Sequence, residues 1–340
     1  MEPGPEIRGS ASGRGGWHTH AMANAGSAPE AADPATADPV TAGPDPAARV
    51  DAWLNGAWTL AALAAAAEGR PLSREHGRLL FAAGCAEPDG DGWRLLPAYR
   101  TLLTGPSGPS AFPRRVARQL HQAADAAAGR DGHEEESDAA LLAEGAASGE
   151  RMGAFLDLLV ERVPGFGDLL EESGLRFLDV GTGVGAIAAA VLDRVPGASA
   201  VGLDVQSRAL RLAERHLAER GLGDRVELRL QDVADLSERD AYDLAWFPLA
   251  ALAPDAVERA LPRVREALRP GARLLTATVL RDDPAGDVRE AVVRWRMSRS
   301  RITPWGPEEA ARNLAAAGYR DVRCVRTPER TLTLVTARAP

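Results

Sequence analysis

Gly181, Gly183 and Gly185 alternate within Phe177-Leu-Asp-Val-Gly-Thr-Gly-Val-Gly-Ala-Ile187, directly after an apolar run. Glycines at this spacing let a backbone turn sharply and approach a ligand with no side chain between them. Two acids follow at matching places. Asp204 ends the apolar run Ala198-Ser-Ala-Val-Gly-Leu-Asp204, and Asp232 ends Val226-Glu-Leu-Arg-Leu-Gln-Asp232. Asp204 falls about 20 residues past the loop, where a carboxylate can accept both hydroxyls of a ribose. A glycine turn with an acid at the tip of each of two successive strands is suited to holding a nucleoside.

These residues need a strand, a tight turn and a helix start, then further strands ending at the same edge. The chain supplies that rhythm. Strands are expected at Leu178–Val180, Val201–Val205, Val226–Leu230, Tyr242–Phe247, Leu274–Leu280, Arg320–Arg326 and Thr331–Ala337. Helices are expected between them at Ala186–Arg194, Arg208–Arg220, Asp255–Leu268 (closed by Arg269-Pro-Gly271) and Pro307–Ala317. Such alternation argues a parallel sheet with helices on both faces. In such sheets a ligand sits outside the carboxyl ends of the strands, where strand order reverses.

A dinucleotide reading is disfavoured. Its loop is usually G-x-G-x-x-G, with a helix N-terminus cradling a pyrophosphate. Here the third glycine falls one residue early. Asp179 also precedes the loop, a poor neighbour for a pyrophosphate and a suitable one for a cation.

Asp179, the three glycines, Asp204 and Asp232 together resemble the class I S-adenosylmethionine-dependent methyltransferase family over about residues 140–340. The resemblance implies an α/β fold: a Rossmann-like doubly wound, mostly parallel seven-stranded sheet with a terminal antiparallel hairpin. It implies S-adenosyl-L-methionine as cofactor. Asp204 would hold the ribose, Val205 would pack on the adenosine, Asp232 would position the adenine amino group, and Val233 would offer its backbone to the base. Members that methylate amino groups of adenine or glutamine carry an Asn/Asp-Pro-Pro-aromatic motif after the fourth strand. This chain has Trp246-Phe-Pro-Leu249 there, which argues against those acceptors. Trp246 and Phe247 are expected to give the cleft an aromatic wall against the sulfonium, with one of the two packing in the core.

Four segments are expected: a disordered tail at 1–48, a mainly helical domain at 49–105, a linker helix within 106–139, and the cofactor domain at 140–340. The tail is rich in Gly, Ala, Pro, Ser and Asp and poor in large apolar groups, so it cannot offset its own ordering entropy. Helices are expected at Val50–Ala67, Arg78–Ala83, Pro113–Ala128 and Leu141–Val160, with a turn over Glu87–Gly92 and an extended piece at Trp93–Pro97. The order resembles the degenerate winged-helix module ahead of many small-molecule methyltransferases, which dimerises and covers the substrate cleft; a generic helical cap is the other reading. In the run Glu144-Gly-Ala-Ala-Ser-Gly149, small residues allow close approach of a helix or the cofactor.

The chain has 340 residues, a net charge of −8 and no lysine, its positive charge being all arginine. Net acidity speaks against a nucleic-acid partner, and the missing lysine excludes lysine chemistry. No apolar stretch approaches the ~18 residues of a membrane span, and no signal peptide is read at the start. Cys85 and Cys324 are the only cysteines, so no disulfide framework or metal cluster is signalled; they are expected as reduced core thiols of a cytoplasmic protein. His121 and His133, between the domains, are candidates for a general base. The catalytic residues are otherwise unassigned. Arg294, Trp295 and Trp305, in the insertion after the fifth strand, are candidate substrate contacts, with a solvated amphipathic helix as the alternative.

The expected function is methyl transfer to a small-molecule acceptor in secondary metabolism, by a homodimer. Two alternatives use the same cofactor site. One is a non-methylating use of S-adenosylmethionine, such as cyclisation or rearrangement. The other is a cofactor-sensing regulator that binds DNA.

Overall fold

The computed structural model describes residues 45–67, 71–103, 111–130, 137–249, 252, 254–280, 287–299, 305–328 and 332–340. The described residues divide into two units, 45–52 and 53–340, and 45–52 opens a helix. That helix, α1 (Pro46–Ala66), starts before the expected tail boundary at residue 48. Pro46 is well suited to a first helical turn, where a backbone N–H has no partner to lose.

The N-terminal elements continue with α2 (Arg74–Ala82), the antiparallel hairpin β1 (Ala86–Asp89) and β2 (Gly92–Leu95), α3 (Pro97–Leu103) and α4 (Ala111–Ala127). Ser73 caps α2 by accepting from the His76 N–H. The hairpin closes onto α2 at Gly77, where a side chain would collide with Trp93, and the Phe81 and Trp93 rings stack 5.2 Å apart. Leu63, Leu80, Cys85, Leu103, Phe112 and Val116 form the small core of this region.

The sheet domain opens with α5 (Asp138–Arg162), capped by Ser137, and a short α6 (Phe166–Glu171) that the pattern did not suggest. Then come β3 (Arg176–Val180), α7 (Ala186–Arg194), β4 (Ser199–Asp204), α8 (Ser207–Glu219), β5 (Val226–Leu230), β6 (Tyr242–Trp246), α9 (Pro254–Ala267), β7 (Leu268–Thr278), α10 (Val288–Arg299), α11 (Pro307–Ala316), β8 (Arg320–Arg326) and β9 (Thr333–Arg338). The seven strands lie in the order β5-β4-β3-β6-β7-β9-β8. β3 to β7 are parallel, and β9 is antiparallel to both β7 and β8. This is the doubly wound sheet with a terminal antiparallel hairpin expected from the sequence. Order reverses at β3, whose neighbours are β4 and β6, so the crevice opens beyond the end of β3.

Two core layers cover the sheet. One packs Tyr242, Phe247, Val257, Val264, Leu274 and Leu314 together, and the other packs Phe155, Leu159, Phe177, Leu192, Leu244 and Leu275. α5 docks on the start of α7 through glycines. A Cβ at Gly145 would meet the Val184 side chain at 2.1 Å, and one at Gly149 would meet the Ala186 carbonyl oxygen at 2.8 Å. A valine side chain can rotate aside, whereas a backbone carbonyl cannot. Gly→Ala inside a helix ordinarily stabilises by about 1 kcal/mol. Gly149→Ala is expected to do the opposite and cost about 1–3 kcal/mol by overpacking. A urea midpoint above wild type would contradict this docking.

Several expectations need correction. β7 begins at Leu268, six residues early, because Arg269–Ala272 bulge between the Tyr242↔Leu268 and Leu244↔Arg273 pairs instead of closing α9. The insertion around Trp295 is the regular helix α10. Cys85 is buried as expected, but Cys324 is exposed, because β8 is the edge strand of the sheet.

Candidate functional site

The loop between β3 and α7 holds its three glycines at φ of 64°, 57° and 74°, the left-handed region that other residues adopt only with strain. Above Gly183 there is open space, its nearest candidate contact being the Gly181 carbonyl oxygen at 4.0 Å. The loop therefore bares its backbone at Gly183, whereas a Cβ on Gly185 would meet Leu217 at 3.0 Å. Gly185 caps α7, and its N–H donates to the Thr182 carbonyl at 2.9 Å.

Asp179 is 0% exposed and lies beneath this cradle. Its Oδ2 accepts from the Thr182 hydroxyl at 2.8 Å and from the Ala188 N–H at 3.1 Å, so one carboxylate ties the loop to the first turn of α7. Its Oδ1 is buried with no hydrogen-bond partner. Burial pushes the Asp179 carboxyl up to about 7, the Thr182 and Ala188 bonds oppose that shift, and the Asp204 charge adds to it. The structure thus gives Asp179 the role of fastening the loop from below. Thr182 completes the fastening and packs over Gly202 of β4, where a Cβ would come within 2.8 Å of its hydroxyl oxygen. Thr182 was not singled out in the sequence; its place inside the glycine run was the available signal.

Asp204 stands across the crevice at the end of β4. Its Oδ2 accepts from the Gly183 N–H at 2.8 Å and its Oδ1 from the Gln206 N–H at 2.9 Å. One bond per oxygen leaves each with further acceptor capacity, so the carboxylate is oriented by backbone and still able to take two hydroxyls. Val205 follows it at 67% exposure, unusual for an apolar side chain beside a cradle, and suited to the face of a flat ring. Asp232 caps a single turn over Val233–Asp235, with Oδ1 accepting from the Ala234 N–H at 2.9 Å and the second oxygen uncommitted. Val233 is buried in the core, leaving its backbone as its polar offering. The donor set therefore fits a nucleoside: backbone cradle, ribose-type acid, apolar plate, base-type acid.

The aromatic pair does not form an open wall. β6 is covered on both faces, so alternation sends Trp246 into one core layer and Phe247 into the other. Trp246 keeps 9% exposure and Phe247 none. Pro248 takes the place above the loop, its Cγ 3.3 Å from a Cβ position on Gly181.

Of the expected substrate residues, Arg294 and Trp295 lie on α10 and Trp305 lies just before α11. Arg294 pairs with the buried Glu290 one turn away on α10 at 2.8 Å. Trp295 is exposed under the Arg299 guanidinium. Trp305 packs partly against the core, and its carbonyl accepts from the Thr278 hydroxyl at 2.6 Å. His121 is exposed on α4, with Nδ1 3.1 Å from the Ala117 carbonyl of its own helix. His133 lies outside the described residues. Glu144 pairs with Arg118, and the Ser148 hydroxyl donates to the Glu144 carbonyl at 2.9 Å. Among the described residues, no group of three His, Cys, Asp or Glu could hold a metal ion, and no helix is long and apolar enough to cross a membrane.

A family described as a methyltransferase domain matches residues 177–271, the segment from β3 into β7. Methyltransferase GfsG of Streptomyces halstedii is 33% identical over 149 residues, 44% of this chain; the match spans 50% of that protein's own length. The release factor glutamine methyltransferase of Cereibacter sphaeroides is 33% identical over 232 residues, covering 58% of this chain and 80% of that protein. Among solved structures, the mitomycin 7-O-methyltransferase MmcR superposes with a TM-score of 0.63 at 22% identity, covering 86% of this chain and 98% of that one. That likeness extends the shared fold through the N-terminal helices as well as the sheet. The chain belongs to the class I S-adenosylmethionine-dependent methyltransferase family.

Proposed function

We propose that this protein binds S-adenosyl-L-methionine in the crevice above Gly181–Gly185 and transfers its methyl group to a small-molecule acceptor in secondary metabolism. The observation that carries the reading is Asp204, held by the Gly183 and Gln206 N–H groups with acceptor capacity to spare, beside the exposed Val205. The bound sulfonium supplies an already activated methyl group. The chain's own residues then have to position rather than activate. Gly181, Gly183 and Gly185 present backbone, Asp204 orients the ribose, Val205 covers the adenosine, Asp232 and the Val233 backbone fix the base, and Asp179 holds the loop in shape.

The absence of a polar residue at Trp246, where amino-group methylating members carry Asn or Asp, favours an acceptor other than glutamine despite the Cereibacter relative. Incubation with methyl-labelled cofactor and a small-molecule extract is expected to move label into a low-mass product with release of S-adenosylhomocysteine. Methylthioadenosine as the product would favour a non-methylating use. Label reaching no small molecule would overturn the proposal.

The N-terminal elements fit a dimerising cap over the cleft. On α1, Trp53, Leu54, Trp58 and Leu60 are exposed, Trp58 to 74%, a concentration of apolar surface that suits a second copy of this chain. Light scattering is expected to give twice the 35.9 kDa chain mass, and Trp58→Glu to shift it towards monomer. A wild-type monomer at micromolar concentration would contradict the dimer. The absence of a nucleic-acid partner fits the net charge of −8.

A further inference from the structure

Three arginines that the cofactor reading does not use gather where α4, α5 and α10 meet. Arg296 Nη2 on α10 donates to Gln122 Oε1 on α4 at 2.7 Å. Arg118 on α4 pairs with Glu144 on α5. α5 in turn packs on Val184–Ala186, immediately after the glycine loop, through Gly145 and Gly149. α10 follows the carboxyl end of β7. The cluster therefore stands on the side of the sheet where the crevice opens.

Arg151 and Arg296 hydrogen-bond to neutral side chains, those of Ser148 and Gln122. Arg296 Nε is buried without a hydrogen-bond partner. Loss of water and then the nearby Arg118 charge lower the basicity of Arg296. The same two causes, in that order and opposed by Glu150, lower that of Arg151. A buried donor without an acceptor carries its desolvation cost uncompensated, and an oxyanion in this place would relieve both the orphaned N–H and the like-charge crowding. Guanidinium groups match carboxylate and phosphate geometry with paired, charge-assisted bonds. Arg294 does not compete for this role, because it lies two residues away on the opposite side of α10, paired with Glu290.

We infer that the methyl acceptor carries an oxyanion, a carboxylate or a phosphate ester, and that Arg296, with Arg118 and Arg151 around it, holds that group. The inference rests on the methyl-transfer reading above. It is tested on the S-adenosylhomocysteine complex by calorimetric titration with matched pairs: 4-hydroxybenzoate against 4-hydroxybenzamide, and phenyl phosphate against phenol. The charged member of at least one pair is expected to bind about tenfold more tightly, the scale of one charge-assisted hydrogen bond; which pair shows it separates carboxylate from phosphate. Arg296→Gln is expected to abolish the preference, Arg296→Lys to restore part of it, and neither to change the affinity for S-adenosylhomocysteine. Equal binding within both pairs, binding by no member, or a preference that survives Arg296→Gln would overturn the inference. Failure of the wild type to bind S-adenosylhomocysteine would instead sink the cofactor reading on which it stands.

Discussion

Asp204→Ala is expected to weaken S-adenosylhomocysteine binding by about 100-fold to 10,000-fold, because a carboxylate accepting two hydroxyls contributes two charge-assisted bonds of about 1.5–3 kcal/mol each. The effect has two sources in the structure. The substitution removes the acceptor, and it also frees the Gly183 N–H that Asp204 Oδ2 holds at 2.8 Å. Asp204→Asn separates them. An amide oxygen can keep the Gly183 bond but brings an NH2 donor in place of the second oxygen and removes the charge. Asparagine is therefore expected to retain the loop and still lose much of the affinity. Thermal unfolding of both variants without ligand checks that the loss is local, since Asp204 lies at a strand end rather than in a core layer. Binding by Asp204→Ala within a factor of two of wild type would place the ribose elsewhere.

The second large effect is on stability and its pH dependence. Burial lifts the Asp179 carboxyl from an ordinary 3.8 to about 7. Between those values the folded protein keeps a proton that the unfolded chain has released, so stability falls as pH rises through this window. The contribution is whole below the unfolded value and gone above the folded one. A shift of this size corresponds to roughly 4 kcal/mol at about 1.4 kcal/mol per unit, an upper bound for a group that can relax. Asp179→Asn removes the titration while keeping an oxygen for the Thr182 hydroxyl and the Ala188 N–H. The variant is expected to gain on wild type as pH rises from 5 to 8, by a few kcal/mol in all, on the same scale. Denaturant midpoints measured across that range check it. Parallel curves for the two proteins would mean that the carboxylate ionises freely, and hence that it is not sealed beneath the loop.

The glycine loop and the acids at the neighbouring strand ends were legible in the sequence because each has a strict physical requirement. Positive φ demands glycine, and acids at strand ends stand out against apolar runs. Gly181, Gly183, Gly185, Asp204 and Asp232 therefore announced themselves, as did the alternation that builds the sheet. The side of the strand on which Asp179 would act was not legible. The same residue type serves above the loop as a ligand contact or below it as a fastener, and only its burial decides. Trp246 and Phe247 are both buried, where one was expected in the core, because a strand covered on both faces has no open side to present. The α10 segment was obscure because Trp295, Arg294 and Arg296 mix apolar and charged groups around the helix rather than on one stripe. The arginine cluster was beyond sequence reading altogether. Arg118, Arg151 and Arg296 stand on three elements far apart in the chain, joined by contacts such as those of Gln122 and Glu144.

On the proposed reading, the β3–α7 loop and the end of β4 form one nucleoside site. The most direct measurement is a crystal structure of the protein with S-adenosylhomocysteine. It is expected to show both ribose hydroxyls within hydrogen-bond distance of the Asp204 carboxylate, with the ligand lying over Gly181–Gly185 and its adenine against Val205. A ligand bound elsewhere, or seated there with its ribose turned away from Asp204, would contradict the account.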